Sequence, residues 1–132
     1  MAFLTKDAIK GNKSTPKMKK VEIPEWGGHV FVRELTAHGR DRFEDVMFAF
    51  NTETGKVEMR QGQQRRTFFL VLTVCDENGD AVFTDEDISW LSEMEFSVID
   101  RIYQEAQKIN GMTVEKATKN SESPSGGNSS SD

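Results

Sequence analysis

The run "TFFLVLTVC" at residues 67–75 constrains the fold of this chain more than any other segment. It carries no charge and is apolar nearly all round, so it needs partners on every side. Together with the preceding "RQGQQRR" it is long enough to predict a helix over about residues 59–75, which would be the central core helix. Thr, Phe and Val also favour extended structure, so a strand over residues 67–74 is the competing interpretation.

The remaining composition allows one domain with a modest core. The chain has 132 residues, of which 36% are hydrophobic, and this length suits a single domain. The end of the chain, "SESPSGGNSSSD", has no apolar residue and cannot offset the entropy cost of ordering it. We therefore predict a single folded domain over residues 1–112 and a flexible low-complexity tail over residues 113–132.

Charge is distributed unevenly along the chain. The net charge is −5, with eight Lys/Arg and four Asp/Glu in residues 1–40, against nine and eighteen in residues 41–132. A domain that binds duplex nucleic acid normally has a dominant basic face, so we expect no nucleic-acid partner. A basic end and an acidic end favour head-to-tail association between copies, so a homo-oligomer is expected.

Cysteine usage and hydropathy indicate the compartment. Cys75 is the single cysteine, so an internal disulfide is impossible. No stretch of about 18 apolar residues is present, and the first residues lack the apolar core of a signal peptide. We expect no membrane partner and a cytoplasmic location.

Periodicity predicts an α+β fold that is mainly α, with an N-terminal β-hairpin followed by about four helices. Thr5 can cap one initial turn of helix. Alternating apolar residues on both sides of "PEWGG" predict a hairpin over about residues 20–35. Helical spacing and capping signals, such as Thr84 before three acids and Gly111 after an apolar stripe, predict the helices. Their expected spans are about 37–50, 59–75, 85–94 and 96–110.

The segment "DENGDAVFTDED" resembles a calcium-binding loop. Asp76, Asn78 and Asp80 have the spacing of EF-hand ligands. However, Ala81 stands where that loop needs glycine, Asp87 stands where it uses a bidentate Glu, and no second loop is present. An Asn-Gly type I′ hairpin turn explains the same residues more simply. We favour the turn and predict no metal site, with a calcium-regulated binding module as an alternative.

Residues suited to catalysis are scarce. His29 and His38 lack Cys, His or Asp neighbours at ligand spacing. Acidic residues follow Cys75, and they raise the pKa of a thiol, which is unfavourable for a nucleophile. We therefore predict a protein that is not an enzyme, with no catalytic residues and no cofactor.

Three residues are the candidates for partner binding. Trp26 lies at the predicted hairpin tip beside two glycines, where a large aromatic side chain is partly exposed and can anchor a partner. The alternative is that its ring folds back over the hairpin. Arg65 and Arg66 form a basic pair, for which a solvated face or an acidic protein partner is favoured over nucleic acid.

Several phrases, taken in order, resemble the tail assembly chaperones of long-tailed (siphophage-type) bacteriophages. They are "FLTKDAI", "VEIPEWGGHVFVREL", "VLTVCDENGDAVFTDEDISWL" and "IDRIYQEAQKING", and together they extend over roughly residues 2–112. The phrases around Trp26 and around "DENG" contribute most to the resemblance. None of them is a catalytic motif.

The resemblance implies a role in virion assembly. Members of the family coat the tape-measure protein, keep it soluble and help to recruit tail-tube subunits in the host cell cytoplasm, and they are absent from the mature virion. They tend to oligomerise. The resemblance therefore implies a tape-measure protein and a tail-tube protein as partners. The alternative is a virion structural protein, such as a head–tail joining or tail-completion protein.

Overall fold

The structure, a computed structural model, describes residues 3–12, 16–60 and 64–112. The helices are α1 (Lys6–Lys10), α2 (Ala37–Met47), α3 (Arg65–Thr73), α4 (Ile88–Leu91) and α5 (Phe96–Ile109), and the strands are β1 (Met18–Ile23), β2 (Gly28–Arg33), β3 (Phe48–Asn51), β4 (Lys56–Met59) and β5 (Val74–Cys75). One sheet has the order β1-β2-β5, and a second consists of β3 and β4. The predicted α+β class is confirmed. The predicted tail over residues 113–132 lies outside the described residues.

The predicted N-terminal hairpin is confirmed. Strands β1 and β2 pair antiparallel, with Met18 opposite Arg33 at one end and Ile23 opposite Gly28 at the other. Residues Pro24–Trp26 form one 3-10 turn, and Gly27 follows with φ of 75°. Only glycine adopts that backbone conformation without strain, which explains one of the two glycines after Trp26.

Helix α3 is the centre of the core, as its composition predicts. Every residue from Thr67 to Thr73 is buried. Phe69 is fully buried, with its ring edge-on to Phe43 at 4.9 Å and to Tyr103 at 5.7 Å between centroids. The buried Thr73 hydroxyl donates to the Phe69 carbonyl at 2.7 Å, so its burial leaves no unsatisfied donor. The helical interpretation is confirmed for this run, and the strand interpretation is wrong for residues 67–73.

The predicted helix over residues 37–50 is too long. Helix α2 ends at Met47, because the next residues pair as β3 with β4 around a turn. The Asn51 side chain accepts from the Glu53 and Thr54 N–H groups at 2.9 and 3.2 Å, and Gly55 has φ of 74°. This turn gives residues 48–51 a cross-strand ladder in place of further helix, and it leaves Phe50 63% exposed.

The predicted helix over residues 59–75 is wrong at both ends. Residues 56–59 form β4, and α3 begins only at Arg65. At the other end, Val74 and Cys75 form β5, which pairs antiparallel with Val32 and Phe31 of β2. The β-branched Val74 is fully buried there. In β5 the backbone groups of these two residues pair with β2, and they could not form these hydrogen bonds if α3 continued through them.

The stretch from Asp76 to Asp80 is a hairpin loop, not an EF-hand loop. Strand β5 precedes it, and Cys75 bridges to Ala81 after it, so helices do not flank it. The Asp76 carboxylate accepts the N–H groups of Asn78 and Asp80 at 2.8 and 3.0 Å. Within the described ranges, no group of three or more His, Cys, Asp or Glu is arranged to hold a metal ion.

The expected turn type is also corrected. The Gly79 N–H donates to the Asp76 carbonyl at 2.9 Å, so Asn78 and Gly79 occupy the third and fourth positions of the turn. A type I′ turn would place both at its centre. With φ of 87° at Gly79 and a hydrogen bond between Asp76 and Asp80, the loop is a three-residue hairpin connection.

Polar side chains fix the ends of the later helices. The predicted helix over residues 85–94 is too long, because Asp85–Asp87 form a 3-10 turn and α4 ends at Leu91. The Thr84 and Asp87 side chains form the capping box of that turn. Gly111, with φ of 68°, follows the end of α5. Arg33 on β2 donates to the Leu72 and Gly79 carbonyls, which connects the sheet to the end of α3. Helix α5 packs across β1 and β2 and against α3. In the described part of the chain, none of the helices is long and apolar enough to span a membrane.

Candidate partner-binding surface

A groove of about 400 Å³ runs between the start of α3 and the corner where α4 meets α5. It has one polar wall, from the first turn of α3, and one largely apolar wall. Its lining residues are Gln64, Arg65, Arg66, Thr67, Leu91, Ser92, Met94, Phe96 and Ile99. Such an open groove with aromatic, Met and Arg side chains has the composition of a protein-binding surface.

Arg66 connects the two walls of the groove. Its Nε donates to the Asp100 carboxylate at 3.2 Å. Its guanidinium carbon lies 5.1 Å from the centroid of the Phe96 ring and 5.6 Å from that of Tyr103. The cation–π contacts and the ion pair hold the Arg66 side chain in one place, although it is 41% exposed. Phe96 itself remains 63% exposed at the rim.

Arg65 lies in a different environment. Its Nε is buried and has no hydrogen-bond partner in the part of the chain that the structure describes. Its Nη1 contacts the Met59 sulfur at 3.6 Å, and a thioether is a weak acceptor. A guanidinium in this position can gain free energy from an acceptor brought by a partner, because the desolvation cost of the buried group is already present in the free protein.

Trp26 lies beside the same surface. Its indole Nε1 donates to the Glu95 carboxylate at 3.2 Å, and Glu95 directly precedes Phe96. The Trp26 side chain is 40% exposed, so the ring neither projects freely nor folds fully into the core. Polar and apolar parts of this ring are therefore both accessible to a partner.

An ion pair holds the hairpin tip against α5. Both Nη atoms of Arg101 donate to the Glu25 carboxylate, one to each oxygen. These hydrogen bonds from Arg101 are the main cause that lowers the pKa of Glu25 from 4.5 to about 2. Because Glu25 precedes Trp26, the ion pair helps to set the position of the indole.

The structure places two of the three residues that the sequence indicated in the groove, whereas Trp26 is outside its lining. Arg65 and Arg66 line the groove, and Trp26 adjoins it through Glu95 and Phe96. Sequence reasoning missed Phe96 and the Glu25–Arg101 pair. Phe96 carried a misleading signal, because it lies three residues before Ile99 and seven before Tyr103 and so continues the apolar stripe of α5, yet it is 63% exposed. The ion pair carried none, because 76 positions separate its members.

The second tryptophan lies on another part of the surface. Trp90 is 48% exposed, donates to the Asp87 carboxylate at 2.8 Å, and has its ring edge-on to Phe83 at 5.9 Å. The Thr84 backbone N–H, followed by the Trp90 indole, lowers the pKa of Asp87. With a similar exposure but no place in the groove, Trp90 is a matched control for Trp26.

The fold is that of a small α+β domain whose surface carries exposed aromatic and arginine side chains. Residues 5–120 match the family model of the phage tail assembly chaperones, and the chain belongs to this family. The family resemblance seen in the sequence is therefore confirmed. Membership in a chaperone family indicates a non-enzymatic role.

A solved structure has the same fold. The bacteriophage HK97 tail assembly chaperone is 18% identical, with a TM-score of 0.53, and the alignment covers 80% of this chain and 95% of that one. At this identity the likeness concerns the fold, not the residues of the surface. A search of curated proteins found no match.

Proposed function

We propose that this chaperone binds the tape-measure protein of its phage, keeps it soluble and recruits tail-tube subunits during virion assembly. The groove beside Trp26 is the observation that carries the proposal. It combines an exposed Phe96 with an arginine pair, and the partly exposed Trp26 hydrogen-bonds to Glu95, which precedes Phe96. Many weak contacts of this kind, repeated along the tape-measure protein, give strong binding without a deep pocket.

The proposal includes self-association and a location. Copies of the chaperone associate weakly with one another, which multiplies the contacts along a long partner. The protein acts in the host cell cytoplasm and is absent from the mature virion. Uneven charge along the chain and exposed apolar side chains outside the groove support self-association.

Co-expression with fragments of the tape-measure protein tests the proposal. The wild-type chaperone is expected to keep at least one fragment soluble and to be retained with it in a pull-down. The double variant W26A/F96S is expected to lose that fragment, whereas W90A is expected to retain it. If every fragment stays insoluble and unbound with the wild-type chaperone, tape-measure binding is wrong.

Purified particles provide a separate test of the location. Mass spectrometry is expected to detect the tail-tube protein but not this chain in mature virions. Detection at a fixed ratio to a known structural protein would instead support the virion structural alternative, a joining or tail-completion protein.

A further inference from the structure

The β3–β4 hairpin has one apolar face, formed by Phe48, Phe50, Val57 and Met59. Phe48 lies opposite Met59, and Phe50 lies opposite Val57, and alternate residues of a strand share a face. Phe48 rests against the core, whereas Phe50 and Val57 are 63% and 68% exposed. A two-stranded hairpin with such a face is marginally stable unless something packs on it or extends it.

Among the described residues, no backbone group pairs with the outer edge of β4. The Arg60 N–H donates to the Met47 carbonyl at 2.7 Å, just beyond the Phe48–Met59 pair. Since hydrogen-bonded and non-hydrogen-bonded pairs alternate in an antiparallel ladder, Lys56 and Glu58 direct their backbone groups towards β3, and Val57 directs its groups outward. Within the described residues, β3 is the one strand that pairs with β4.

The charges beside Val57 are self-complementary. If two β4 strands pair antiparallel about a twofold axis at Val57, each Lys56 faces Glu58 of the partner subunit, and opposite charges across strands are stabilising. Registers centred on Lys56 or on Glu58 would place like charges opposite each other. A twofold axis placed between two residues would set backbone groups that point outward in one copy opposite groups that point towards β3 in the other. The backbone allows each register that places outward residues such as Val57 and Met59 opposite one another. Among the registers that overlap most of β4, only the one centred on Val57 pairs opposite charges.

We propose that two copies of this protein associate through β4, edge to edge, with Val57 at the twofold axis. The two hairpins then form one four-stranded antiparallel sheet, and the Phe50–Val57 pairs of both copies become one continuous apolar face. This interface gives a location to the self-association in the proposed function, on which it rests. It adjoins the groove at one residue, because Met59 of β4 contacts Arg65 of the groove at 3.6 Å.

Charge reversal and its rescue test the proposal, with sedimentation equilibrium over a range of protein concentrations. The wild-type chain is expected to form dimers reversibly. K56E and E58K each replace two attractive cross-strand pairs by two like-charge pairs, and each is expected to lower the association constant by about tenfold or more. The double variant K56E/E58K restores the pairing, and so does an equimolar mixture of the two single variants. Circular dichroism and thermal melting confirm that each variant is folded.

Hydrogen exchange tests the register. The Val57 N–H is expected to exchange more slowly as the protein concentration rises, while the Glu58 N–H, already paired inside the hairpin, shows no such dependence. A monomer at all concentrations, single reversals that dimerise like the wild type, a double variant that does not recover, or a Val57 N–H indifferent to concentration would each overturn the proposal. Tape-measure binding is measured separately in the pull-down, so its failure is distinguishable from this one.

Discussion

The Trp26 indole N–H donates to the Glu95 carboxylate at 3.2 Å, although the two residues are 69 positions apart in the chain. This hydrogen bond connects the tip of the β1–β2 hairpin to the start of α5, next to Phe96. It holds the aromatic residue that the sequence indicated next to the helix start whose Phe96 contacts Arg66. The candidate partner-binding surface depends on this junction.

Replacement of Trp26 is expected to weaken partner binding without unfolding the protein. W26A removes a large, partly exposed ring next to the groove, and an aromatic anchor contributes enough that binding of a tape-measure fragment should fall by about tenfold or more. W26F keeps a ring but loses the bond to Glu95, so an intermediate affinity is expected. Titration calorimetry measures both, with W90A as the control. Unchanged affinity together with unchanged melting would remove Trp26 from the interface.

Arg65 and Arg66 are expected to differ in their effect on stability. R65M removes a buried Nε that has no partner among the described residues, so the free energy of unfolding should stay the same or rise, while fragment binding weakens. R66M removes the Asp100 ion pair and the contact with Phe96, and should cost about 1 kcal/mol. Urea unfolding separates the two variants. Equal losses of stability would contradict the account of Arg65.

The Glu25–Arg101 pair is expected to make stability depend on pH in the acid range. The pKa of Glu25 is lowered from 4.5 to about 2 in the folded protein. The unfolded chain therefore binds the proton first as pH falls. The contribution of the pair is fully present above about pH 4.5 and is lost as pH falls towards about 2. Urea unfolding of wild type and E25Q should show a stability difference at pH 6 that shrinks across this window. A constant difference down to pH 2 would argue against the ion pair.

Asn110 is expected to be important for stability through its side-chain amide. Its Oδ1 accepts the Leu35 N–H at 2.8 Å, and its Nδ2 donates to the Arg33 carbonyl at 3.2 Å, so it joins the end of β2 to the end of α5. N110A leaves part-buried backbone groups unsatisfied and should cost about 1–3 kcal/mol. The exposed Asn12, whose amide donates to Ala8, provides the control N12A, expected to change stability by less than about 0.5 kcal/mol. Similar costs for both variants would contradict this role.

The sequence indicated the candidate site residues one by one, but not how they are arranged on the surface. Trp26 was indicated by its place beside two glycines, and the arginines by their charge. Glu95 contacts Trp26, and Phe96 and Asp100 contact Arg66, because α5 crosses both the hairpin and α3. Contacts between segments that are distant in the chain leave no periodic signal in the sequence. The same holds for Arg101, which holds Glu25.

The sequence by itself determined the elements whose signals are local. The uncharged run at 67–75 had to be buried, alternation around "PEWGG" produced the first hairpin, and the stripe of α5 with Gly111 after it set that helix. Thr84 and Asp87 marked the capping box. In each case the hydrogen bonds or the apolar face involved lie within a few residues of one another.

Only the tertiary structure decided where α2 and α3 end. Val74 and Cys75 leave the helix because β2 offers an open edge beside them, and residues 48–51 leave it because residues 56–59 can pair with them. Phe43, Val46, Met47 and Phe50 fit a helical stripe, yet Phe50 is in a strand. A local hydrophobic period indicates which side chains can share a face. A strand, in contrast, needs hydrogen bonds to a second segment, and the position of that segment is fixed only when the chain has folded.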